Sequence, residues 1–189
     1  RRLFLEPLED RQLLAVVALH EGATNPSTEG WTQFGPRIGV TEGPVPDAWS
    51  INDTSTALGS VLAYQYTLSP NELNDALSQG WTIRATVNVV NHPDNIDGSV
   101  SLGFNDGISK RWILTLGAAT NGDPFVRLLD SELTVSGPIV PVSGSGFHDY
   151  EVTYDPTSGT VDLLVDGVER LSKHPGANDV GIREQQSFV

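Results

Sequence analysis

The chain has 189 residues, a formal net charge of −13 and no cysteine, and is rich in glycine (19) and proline (12). This length suits one core, and the missing thiols exclude a disulfide, a thiolate zinc site and a cysteine nucleophile. So acidic a chain repels phosphate backbones and anionic bilayers, which argues against nucleic acid as a partner. No apolar run approaches the roughly 18 residues of a membrane span; the longest candidate is "LLAVVAL" at Leu13 to Leu19.

Arg1 and Arg2 open the stretch "RRLFLEPLEDRQLLAVVA". Acidic residues interrupt what an ordinary signal peptide would keep apolar. Leu5 to Arg11, followed by Leu13, Leu14 and Ala15, closely resembles the "LEPLEDR-LLA" segment at the start of many large secreted or surface proteins of planctomycete bacteria. The resemblance implies an export-type segment over residues 1–22 and a secreted or cell-surface location. A short amphipathic helix docked on the domain is the alternative. The domain proper is expected over residues 30–189.

From Gly30 the strand-like stretches follow quickly: "WTQFG", "AWSIND" and "VLAYQYTL". A short helix is predicted next, with Ser69 as cap, Pro70 at its first position, Leu73, Ala76 and Leu77 on one face, and Gly80 as its end. In "GWTIRATVNVV" the residues Trp81, Ile83, Ala85, Val87 and Val89 share an apolar face, opposite Thr82, Arg84, Thr86 and Asn88. Val100, Leu102 and Phe104 extend that face on the next strand, and Trp112, Leu114 and Leu116 on the one after. "PFVRLL" follows. Tyr150, Val152 and Tyr154 then alternate with polar residues, as do Val161, Leu163 and Val165 after the turn "DPTSG", and "DG" at Asp166 marks a tight hairpin. Two such sheets pack their inner faces about 10 Å apart.

"GWTIRATVNV", "GSVSLGFNDG" and "FHDYEVTYDPTSGTVDLLVDGVE" resemble successive strands of the concanavalin A-like, laminin G-like jelly roll, over roughly residues 30 to 172. The resemblance implies an all-β, two-sheet antiparallel jelly-roll sandwich with one short connecting helix. That fold hosts lectins, carbohydrate-binding modules, adhesion domains, glucanases and sialidase-appended modules, so it does not fix a function. The closing stretch "SKHPGANDVGIREQQSFV" is short for the family, and "QQSFV" is its candidate edge strand.

A retaining glucanase needs two carboxylates about 5 to 5.5 Å apart. No E-x-D-x-x-E occurs, and Glu151 with Asp155 is better explained by Asp155 opening a turn. No G-x-S-x-G nucleophile elbow occurs either; the glycine–serine run around Gly144 reads as loop composition. His20, His92, His148 and His174 are isolated in sequence, and His148 reads as a packing and hydrogen-bonding residue. The expectation is therefore a chain that is not an enzyme. Calcium is the cation its oxygen-rich loops would suit, through Asp94 and Asp97 in "HPDNIDG" and Asn105 and Asp106 in "FNDG". Asx turns are the competing explanation.

Sugar binding needs an aromatic face with planar polar groups around it. Trp49, in "DAWSINDTS" with Asp53 close by, is one candidate, with a place in the core as the favoured competing explanation. Arg84, Arg111 and Arg127 are placed on adjacent strands of one wet face, beside Asn88, and are three of only eleven cationic residues. Guanidinium groups there would bind glycan hydroxyls or the carboxylates of uronates and sialates, unless neighbouring Asp and Glu neutralise them. The functional expectation is a non-catalytic carbohydrate-binding module whose partner is a glycan or cell-surface polysaccharide. The alternative is a structural or adhesion domain that binds protein, calcium or other domains of a surface protein, and a glycoside hydrolase of the same fold ranks third.

Overall fold

The computed structural model describes residues 16–35, 38–54, 62–90, 100–118, 124–130, 137, 139–178 and 187–188. The strands are β1 (Thr32–Phe34), β2 (Val40–Val45), β3 (Ala48–Asp53), β4 (Ala63–Thr67), β5 (Trp81–Val87), β6 (Val100–Asn105) and β7 (Lys110–Ala118). β8 (Pro124–Leu128), β9 (Val140–Pro141), β10 (His148–Asp155), β11 (Thr160–Val165), β12 (Val168–His174), β13 (Ala177–Asn178) and β14 (Ser187–Phe188) complete them. A single α-helix among the described residues, α1 (Pro70–Gln79), joins β4 to β5, and a short 3-10 helix spans Pro26–Glu29. The expected all-β sandwich with one connecting helix is the architecture found.

The large sheet runs β1-β4-β14-β6-β7-β8-β9, with β13 also paired to β7, and the small sheet runs β12-β11-β10-β5. Every pairing is antiparallel. β2 and β3 form a separate hairpin. The chain changes layer at α1, between β5 and β6, between β9 and β10, and again after β12. Consecutive strands therefore need not be neighbours, which matters for the site.

The alternation read from the sequence places the core correctly. Trp81 on β5 and Trp112 on β7 are both buried, and they meet across the layers with ring centroids 5.8 Å apart. Trp81 also packs on Phe104 at 4.9 Å and stacks on Tyr154 at 5.5 Å. Leu114, Leu116, Val126, Leu128, Leu163 and Val165 fill the rest of the interior. Val100, by contrast, lies at the open end of its strand and is exposed.

α1 forms where its sequence signals fall. Ser69 accepts from the Glu72 amide, and the Glu72 carboxylate accepts from the Ser69 amide at 2.7 Å, closing a capping box ahead of Pro70. Gly80, at φ 98°, ends the helix and starts β5.

Residues 1–15, which carry most of the export-type motif, lie outside the described residues. Val17 packs against the core, and the Trp31 indole N–H donates to the Leu19 carbonyl at 3.0 Å, so the chain just after that motif lies on the domain. No helix among the described residues is long and apolar enough to cross a membrane.

Candidate functional site at the open end of the sandwich

The expected arginine face does not exist as one surface. Arg84 lies on β5 in the small sheet, whereas Arg111 and Arg127 lie on β7 and β8 in the large sheet. All three alternate with core residues, so Arg84 points away from the sandwich on one side and the other two on the opposite side. The layer change between β5 and β6 separates them. Arg84 is exposed and its Nε donates to Glu151 at 2.7 Å, so on this sheet cross-strand neutralisation is what the arginine does.

The calcium candidates also divide. Asp94 and Asp97 lie outside the described residues. Asn105 and Asp106 are buried at the opposite end of β6. Asn105 Oδ1 accepts from the Gly107 amide at 2.8 Å. Asp106 Oδ1 accepts from the amides of Ile108, Ser109 and Lys110 at 2.7, 2.8 and 2.9 Å. These are Asx-type turns whose oxygens serve the backbone. Among the described residues no group of three or more His, Asp or Glu side chains is arranged to hold a metal.

Trp49 and Asp53 sit on β3 of the separate hairpin. Glu42, on the same hairpin face as Trp49 by register, accepts from Gln33 at 3.2 Å and from the Tyr64 hydroxyl. By the pairings of β4, β14 and β6, Tyr64 shares the core-facing side of the large sheet with Phe104. The hairpin thus covers that side beyond the reach of the small sheet. Trp49 is half-buried there with its Nε1 buried, while Asp53 is exposed.

One cleft does gather suitable groups. It has a volume of about 320 Å³ and opens at the end of the sandwich where β5 finishes and β8 and β10 begin. Val89, Val90 and Pro124 supply apolar walls. Asn88, Ser145, His148 and Tyr150 supply polar atoms, and Gly146 lies between them in the loop before β10. Of the expected sugar-binding residues only Asn88 lines it.

His148 is the fixed point of this cleft. It is buried, its Nδ1 lies 2.8 Å from Asp166 Oδ2, and its Nε2 lies 3.2 Å from the Gly144 carbonyl. Both partners are acceptors, so in the protonated ring both nitrogens donate. The Asp166 hydrogen bond holds the imidazole pKa above its ordinary value, overcoming burial, which pushes it down. In return the His148 hydrogen bond holds the Asp166 carboxyl below its ordinary range. Asp166 can serve because "DG" forms the predicted tight turn, with Asp166 at φ 52° and Gly167 at φ 75°. Its Oδ1 also accepts from the Asp149 amide at 3.0 Å. Burial raises the pKa of the Tyr150 phenol, which stays a hydrogen-bond donor at neutral pH.

No family model matches the chain, and no curated protein matches it. Among solved structures it is similar to the carbohydrate esterase of the Shiga toxin-encoding bacteriophage phi24B, with a TM-score of 0.52 and 13% identity, covering 86% of this chain and 81% of that one. Likeness at this identity shows the fold alone. The expectation that the chain is not an enzyme is overturned on that ground, because a solved structure of the same fold is an enzyme. The absence of a paired-carboxylate motif spoke only to glycoside cleavage.

Proposed function

We propose that this chain is a concanavalin A-like, carbohydrate-binding domain of an exported or surface protein, and that it takes a sugar in the end cleft. The observation that carries the reading is the cleft's composition. A pyranose presents C–H patches and hydroxyls, and the cleft offers Val89, Val90 and Pro124 beside Asn88, Ser145, His148 and Tyr150. The His148 ring is fixed before a ligand arrives, so little ordering remains to oppose binding. The carbohydrate-directed solved neighbour supports the same substrate class. Glycan-array screening followed by calorimetry on the best glycan tests it. Asn88→Ala with Ser145→Ala should weaken binding at least tenfold, and unchanged affinity in that double variant would reject the cleft.

Ester hydrolysis is a second reading, favoured by one observation: Ser145 shares the cleft with a histidine whose Nδ1 is held by a carboxylate. Such a set activates a serine hydroxyl once Nε2 can take its proton. Here Nε2 faces the Gly144 carbonyl, so turnover requires the 144–146 loop to release the ring. Hydrolysis of O-acetylated sugars by the purified protein, abolished in Ser145→Ala, tests this reading.

A further inference from the structure

Arg127 belongs to neither the end cleft nor the Arg84 face, and its surroundings are unusual for a cation. It is 4% exposed on the outer face of the large sheet, and its Nε is buried without a hydrogen-bond acceptor. Among the described residues no carboxylate pairs with it. A guanidinium cannot shed its proton to escape burial. Its recorded partner is the Phe125 ring, whose centroid lies 5.5 Å from the guanidinium carbon.

The ring's position is itself fixed. Phe125 pairs with Gly117 on β7, and a Cβ at Gly117 would collide with the ring atoms Cζ, Cε1 and Cε2. The ring therefore lies flat across the β7 backbone, half-buried. In register beside it runs a polar row, Ser101 on β6, Thr115 on β7 and Arg127 on β8. Exposure along this row falls from exposed Ser101 through half-buried Thr115 to buried Arg127. With strands about 4.8 Å apart the row spans roughly 10 Å, the length of a sugar ring and its substituents.

We propose that Phe125, Arg127, Thr115 and Ser101 form a second subsite, which takes a carboxylate-bearing sugar of the uronate or sialate class. The carboxylate supplies the acceptor that Arg127 lacks, in the forked geometry guanidinium groups favour. The C–H face of the sugar lies on Phe125, and its hydroxyls meet Thr115 and Ser101. A simple anion would use only the first of these contacts. The proposal rests on the carbohydrate-binding reading but concerns the opposite face from Arg84 and shares no residue with the end cleft.

Titration of the whole chain with D-glucuronate, D-glucose and acetate, followed by backbone amide NMR, tests it. Glucuronate should shift the Ser101, Thr115 and Arg127 amides, while glucose and acetate should need at least tenfold higher concentrations. Thr115→Glu places a carboxylate directly across from Arg127, so it should raise the melting temperature and abolish those shifts. Arg127→Lys, which keeps the charge but loses the fork, should weaken glucuronate at least tenfold. The subsite is overturned if glucuronate leaves these amides unmoved in the unaltered chain. It is also overturned if acetate or glucose matches glucuronate, or if Thr115→Glu still binds. Asn88→Ala with Ser145→Ala should leave the glucuronate shifts intact, so failure of the end cleft and failure of this subsite read out separately.

Discussion

The Asp166 carboxylate reaches back across the β11–β12 turn to hold the His148 imidazole at 2.8 Å, tying that turn to the loop that forms one wall of the end cleft. The pKa of His148 is raised on folding, so its contribution to stability is complete below the ordinary imidazole value and is lost as pH rises through the raised one. The Asp166 pKa is lowered, so its contribution is present above the ordinary carboxylate value and lost as pH falls through the lowered one. The clamp therefore holds fully between about pH 4 and pH 6.5. Asp166→Asn tolerates the positive φ but removes the charge. Its melting temperature should fall further below the parent at pH 5.5 than at pH 9, and an equal fall at both would refute the clamp.

Trp81 touches aromatic rings from both layers, so its removal leaves a void that neither sheet can close alone. Trp81→Ala should cost about 3–5 kcal/mol. Denaturant unfolding with an unchanged m-value would report this as lost stability rather than an altered unfolded state.

Gly176 stands at φ 71°, and a Cβ there would sit 2.6 Å from Trp112 Nε1. Gly176→Ala should therefore cost about 1–3 kcal/mol from overpacking and a further 1–2 kcal/mol, roughly, from the left-handed backbone. The Trp112 fluorescence maximum should shift with it. A variant as stable as the parent would show that β13 can move away from β7 freely.

Ser69→Ala removes half of the capping box on α1 and should cost about 1 kcal/mol, or roughly 2–4 °C in melting temperature for a chain of this size. Ser69→Asp, which keeps an acceptor, should restore most of it.

Arg84→Ala breaks an exposed pair with Glu151 and should change stability by no more than about 0.5 kcal/mol. Glycan affinity should be unaltered, because Arg84 faces away from both proposed sites. A large loss of binding would return the β5 face to consideration.

Local patterns were legible in the sequence wherever one residue's neighbours decide its place. Alternation put Trp81, Trp112, Val152 and Leu163 inside, the Ser69 and Gly80 signals bounded α1, and "DG" gave the hairpin. Strand partnership was not legible. β5 pairs with β10, 60 residues on, rather than with β6, because the chain crosses to the other layer between them. Nothing in "GWTIRATVNVV" signals that crossing, so the sequence pattern alone does not separate Arg84 from the arginines on the far side. The end cleft was hidden for the same reason: Asn88, Pro124 and Ser145 meet through tertiary packing alone. The Phe125 platform had a local trace, since Gly117 leaves the outer face of its strand without a side chain, but its meaning depends on the register of β7 with β8.

β14, only Ser187 and Phe188, is paired on one side with β4 and on the other with β6. During synthesis the rung between those two flanking strands arrives more than eighty residues after β6. Until it does, β4 and β6 face each other as unsatisfied edges, open to any extended peptide nearby. Over that stretch of synthesis the larger sheet carries a gap, and a chaperone that covers strand edges would act in that interval.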